Sequence, residues 1–87
     1  MPYRVVGAPA VRCAIKKLPR AAQASIIDVL RGLAADPRPS GCEHLSGSEG
    51  FYRVRSGDYR VVYAIDDPAF LVTVVKVAHR RDVYRDL

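Results

Sequence analysis

The hydrophobic period of this chain changes from about 3.6 to 2 residues at Phe51, and no other feature restricts the fold as much. From Phe51 to Arg55 apolar and polar residues alternate, Ser56-Gly57-Asp58 reads as a tight turn, and Tyr59 to Ile65 is rich in Val, Tyr and Ile. Asp66-Asp67-Pro68 is a second turn. Phe70 to Val77 is then nearly continuous apolar sequence, the composition of a strand covered on both faces. Strands joined by connections this short pair antiparallel, because a parallel return needs a crossover of a dozen or so residues.

Upstream, Tyr3 to Val6 is a short β-prone run ending at Gly7, expected to lie against the rest of the sheet. From Pro9, the positions Val11, Ala14, Ile15 and Leu18 follow the spacing of an amphipathic helix, with Arg12, Lys16 and Lys17 facing solvent. Pro19 ends that helix and is suited to open a second, since its missing N–H would be unpaired there anyway. Ala22, Ile26, Val29, Leu30 and Leu33 give the second helix its apolar stripe, which runs out near Asp36-Pro37. The short junction predicts an antiparallel helical hairpin. Residues 37 to 50, rich in Pro, Gly and Ser, read as a loop. The expected class is α+β: an N-terminal strand, a helical hairpin and a three-stranded meander, forming one antiparallel sheet with the helices on one face. Eighty-seven residues suffice for one core, so residues 1–87 are expected to form a single domain.

Composition excludes several classes. With 49% hydrophobic and 26% charged residues the chain is of ordinary globular type. Its longest apolar runs are too short to span a bilayer and its N-terminus has no signal-peptide pattern, so a cytoplasmic protein without membrane contact is expected. Cys13 and Cys42 lack metal-ligand spacing, no metal site is expected, and both read as thiols without a function. A net charge of +5 favours a polyanionic or acidic partner. Because the basic residues are spread evenly along the chain, a basic site has to be made by folding.

The meander makes one. If Gly57 and Asp58 are the two turn residues, Ser56 pairs with Tyr59, Arg55 with Arg60, Val54 with Val61, Arg53 with Val62 and Tyr52 with Tyr63. Paired side chains share a face. Tyr52, Val54, Tyr59, Val61 and Tyr63 therefore face the helices, while Arg53, Arg55, Arg60 and Val62 face away. Three guanidinium groups then stand together with no acid among them, although like charges opposite one another in a sheet are destabilising. A merely solvated face would be served better by Glu or Thr, so the cluster points to a polyanion, above all RNA. The tail after the last strand, His79-Arg80-Arg81-Asp82-Val83-Tyr84, is placed to bring Arg80 and His79 over the rim of that face. Taken singly, His79 reads as a surface imidazole and Tyr84 as a ring capping the core.

These residues also carry a resemblance. Tyr52-Arg53-Val54-Arg55, Gly57-Asp58-Tyr59-Arg60-Val61-Val62-Tyr63 and His79-Arg80-Arg81-Asp82-Val83-Tyr84 resemble the RelE type of toxin within the RelE/ParE superfamily, over essentially the whole chain. The resemblance implies the toxin of a type II toxin-antitoxin pair, a ribosome-dependent endoribonuclease (mRNA interferase) that cuts messenger in the A site and stops translation. Its implied partners are a cognate antitoxin, the ribosome and mRNA, with no small-molecule substrate. The implied reaction is attack of the 2′-OH on the neighbouring phosphate, which leaves a cyclic phosphate and a 5′-OH and needs no metal or other cofactor. The family's strand positions correspond to Arg53 and Arg55, its meander arginine to Arg60, and its C-terminal pair to Arg80 and Tyr84, with Arg81 adding to RNA binding.

Arg60 and Arg80 suit the charge that builds on the phosphate, since guanidinium is always charged and forked. A well-studied branch of the family has lysines where this chain has Arg53 and Arg55, and arginine, with a pKa above about 12, is a poor base. His79 is then the best titrating group nearby and Tyr84 a donor or orienting group. The alternatives are a ParE-like toxin that inhibits DNA gyrase by protein contact, and a degenerate, noncatalytic RNA-binding toxin.

Overall fold

The computed structural model describes residues 2–45 and 50–79. Strand β1 (Arg4–Gly7) leads into helices α1 (Pro9–Lys16) and α2 (Arg20–Ala35). Four more strands follow: β2 (Glu43–His44), β3 (Phe51–Ser56), β4 (Tyr59–Asp66) and β5 (Leu71–His79). They form one sheet in the order β1-β5-β4-β3-β2. Pro9 sits in the first turn of α1, and Pro19 caps α2, with its carbonyl accepting from Gln23 N–H. The Gln23 side chain also donates to the carbonyls of Lys16 and Leu18, closing the end of α1 and fixing the angle of the hairpin.

Two features depart from the expected sheet. β1 pairs parallel with β5, Val5 opposite Val72, so the sheet is mixed. The two helices are the crossover that a parallel pair requires. Within the segment expected to be a loop, Glu43 and His44 form β2 against Arg53 and Tyr52. They follow a turn in which Cys42 N–H donates to Pro39 and Gly41 takes φ 91°, the positive value that a type II turn requires at its third position.

One face of the sheet is the core. Val54, Val61, Tyr63, Val72, Val74 and Val77 join Val11, Ile26 and Leu33 from the helices. Tyr63 is fully buried, its hydroxyl donates to the Pro37 carbonyl at 2.8 Å, and burial pushes its phenol well above the usual tyrosine range. Among the described residues no helix is long and apolar enough to cross a membrane.

The end of α2 is tied to the sheet by Arg38. Its guanidinium donates twice to Asp67, at 2.7 and 3.2 Å, and its Nε donates to the Tyr52 hydroxyl at 3.2 Å. The Tyr3 hydroxyl donates to the same carboxylate, so Asp67, in the β4–β5 turn, links the residue before β1 to the segment after α2. Arg38 and then Tyr3 hold the Asp67 carboxyl below its ordinary value. A carboxyl depressed by folding stabilises the fold above its unfolded pKa, and that contribution disappears as pH falls through the folded value. Asp67→Asn should therefore lower stability at neutral pH and flatten its acid dependence below about pH 4, read from urea midpoints across that range. An unchanged acid slope would show that the network contributes nothing.

Candidate nucleic-acid interface

The β3–β4 register is the one that a two-residue Gly57-Asp58 turn dictates, with Arg55 opposite Arg60 and Arg53 opposite Val62. Gly57 takes φ 59° and Asp58 does not share the positive value, the pattern of a hairpin turn with glycine first. Arg53, Arg55 and Arg60 consequently share the face turned away from the helices. They line one cavity of about 280 Å³ together with Gly41 and Glu43. Arg55 is exposed, whereas Arg53 and Arg60 are half-buried. Arg55 Nε donates to the Gly57 carbonyl at 3.1 Å, which holds its stem along the turn.

The cluster does contain an acid. Glu43 pairs with Arg53 across β2–β3, and its carboxylate accepts from the Arg53 guanidinium. The Glu43 side chain is 65% exposed and that of Arg53 14%, so the carboxylate stands at the open side of the cavity and the arginine within it. The acid was hidden because a two-residue strand in a Pro- and Gly-rich segment has no period to detect. The one local signal was the Pro39-Ser40-Gly41 turn.

A second difference comes from β5. Val62 lies opposite Lys76 but Tyr63 lies opposite Val74, so Val75 is an extra residue that bulges from the strand. Because side chains alternate, one inserted residue transfers everything beyond it to the other face. Without the bulge His79 would share the arginine face and Lys76 would point at the helices. With it, Lys76 joins the arginine face. His79 instead pairs with Tyr59 on the helix side, its ring edge-on to Tyr59 at 5.5 Å between centroids. The expected position of His79 over the basic rim is thus corrected by register.

The comparisons agree with this architecture. The ParE toxin family of type II toxin-antitoxin systems (parDE) matches residues 10–84. Two curated toxins of Mycobacterium tuberculosis are each 34% identical to the chain. Toxin RelG aligns over 98% of this chain and 99% of its own length, and Toxin RelE over 97% and 88%. The chain belongs to the RelE-type toxins of the RelE/ParE superfamily. A chain of the archaeal RelE–RelB complex from Pyrococcus horikoshii superposes with a TM-score of 0.83 at 29% identity, covering 92% of this chain and 97% of that one.

In this RelE-type chain the described site is therefore a sheet face with two rows. One runs Glu43, Arg53, Val62, Lys76 and the other Arg55, Arg60, Ala78. Arg80, Arg81 and Tyr84 lie outside the described residues. The arrangement can bind phosphate through forked donors held on rigid strands, and it sets one carboxylate beside them.

Proposed function

We propose that this protein is a ribosome-dependent endoribonuclease that cleaves messenger in the A site and is neutralised in the cytoplasm by a cognate antitoxin. The observation that carries the reading is the convergence of Arg53, Arg55 and Arg60 on one cavity of the sheet face opposite the helices. Folding places these like charges together at an electrostatic cost, and a phosphate group in the cavity would offset it. Membership of the RelE type supports the same chemistry, and the RelE–RelB assembly of the archaeal neighbour supports an antitoxin as partner.

In the proposed reaction Arg60 and Arg80 stabilise the charge that grows on the phosphate as the 2′-oxygen forms its bond and the 5′-oxygen departs. Arg53, Arg55 and Arg81 hold the flanking backbone. Glu43 is the carboxylate in the described part of the cavity and accepts the 2′-OH proton; Tyr84 serves the leaving oxygen. His79, on the other face, is removed from that role.

The test is to express the protein in cells and in a reconstituted translation system and map messenger ends by primer extension. Cuts within the A-site codon are the expected result. Growth arrest with intact messenger would overturn the reading and favour a gyrase inhibitor. RNA binding without cuts or arrest would point to a noncatalytic relative.

A further inference from the structure

We infer that Lys76 is a positioning residue that extends the phosphate track across β4, holding the nucleotide next to the one cleaved; the inference rests on the nuclease reading above. The primary observation is the bulge at Val75, which turns Lys76 from the helix side to the arginine face. Bulges occur preferentially beside functional sites, where they re-aim a side chain.

The placement suits one strand of RNA. Lys76 lies in the row of Arg53, separated from it by Val62, two strand spacings of about 4.8 Å each. It is also a diagonal neighbour of Arg60, at about 7–8 Å between backbones. Directly opposite Arg60 stands Ala78, a small side chain. Val62 is 2% exposed, although it lies on the face away from the helices and outside the main core cluster. Its cross-strand neighbours are Arg53 and Lys76, whose alkyl stems can cover it.

At the position of Lys76 the strand also borders a shallow groove beside Ala10, Val11 and Ala14 of α1. It stands outside the arginine cavity itself, which is why it fits a neighbouring phosphate and not the reacting one. An ammonium acts on phosphate as a compact point charge, whereas the arginines offer planar forks. Phosphate contacts of this kind fix register on the strand and carry no base preference.

The experiment is single-turnover cleavage on programmed ribosomes by the full-length wild type, Lys76→Gln and Lys76→Arg, across a salt series. Lys76→Gln should raise the protein concentration for half-maximal cleavage roughly 10-fold at low salt, with the loss falling on that concentration and not on the saturating rate. Removing one single-strand phosphate contact should lower the slope of log affinity against log salt by about 0.7, so the gap to wild type narrows about 2.5-fold between 50 and 200 mM. Lys76→Arg should restore the slope. If wild type cuts and depends on Arg60, but Lys76→Gln keeps the wild-type slope, this inference is overturned and the nuclease reading stands. A lowered melting temperature with an unchanged slope would likewise assign Lys76 a structural role only. If wild type does not cut, both readings fall together.

Discussion

Arg60→Ala is expected to cut messenger on programmed ribosomes about 10²–10³-fold more slowly than wild type, and to do so without loss of stability. Arg60 projects from the middle of the meander on the face without helices, and its backbone pairing with Arg55 and Ala78 does not depend on its side chain. Its direct neighbour across β3–β4 is another arginine, so truncation removes a like-charge pair and should leave the melting temperature equal or slightly higher. Most functional substitutions confound lost chemistry with lost folding; here the two are predicted to move in different directions. Arg60→Lys should fall between, since the charge stays but the fork that matches two phosphate oxygens is lost. The measurement is single-turnover cleavage beside thermal melting of the same preparations. Cleavage by Arg60→Ala within about threefold of wild type, too small for a lost oxyanion donor, would remove Arg60 from the reaction.

That separation exists because the sheet divides its tasks by face. Val54, Val61, Tyr63, Val72, Val74 and Val77 bury one side under two helices. The other side is then available to hold charges that a core would reject. Strands are stiff platforms, and side chains mounted on them keep their spacing better than side chains on loops. The arginine cluster is thus a consequence of a register enforced elsewhere, by the apolar residues that alternate with it.

The same division explains what could be read from the sequence. Where apolar and polar residues alternate and a Gly-Asp turn is present, as from Tyr52 to Tyr63, parity can be followed residue by residue, and the arginine face follows. In β5 the run Leu71-Val72-Thr73-Val74-Val75 is apolar on both faces, so alternation is lost there and a bulge at Val75 leaves no mark. His79 was therefore expected on the face opposite to the one it occupies. The parallel pairing of β1 depends on the path of the helical crossover, which no local pattern encodes. Glu43 escaped because β2 is only two residues long and is held by its partner, not by its own composition. Arg38 is similar: its importance comes from Asp67 and Tyr52, far from it in sequence.

Glu43→Gln should have a double effect: a saturating cleavage rate lower by about 10²-fold or more, together with a lower protein concentration for half-maximal cleavage. The two changes have separate causes. The amide cannot take the proton from the 2′-OH, and the arginines around it have no practical basic form. At the same time the carboxylate that pairs with Arg53 is gone, so a phosphate no longer has to displace it and the face gains a full positive charge. A residue that served only as a counter-ion would give tighter binding with an equal or higher rate. A residue that served only to hold Arg53 in place would weaken binding when removed. An unchanged saturating rate would leave Glu43 as a counter-ion and move the proton acceptor elsewhere in the chain or onto the ribosome.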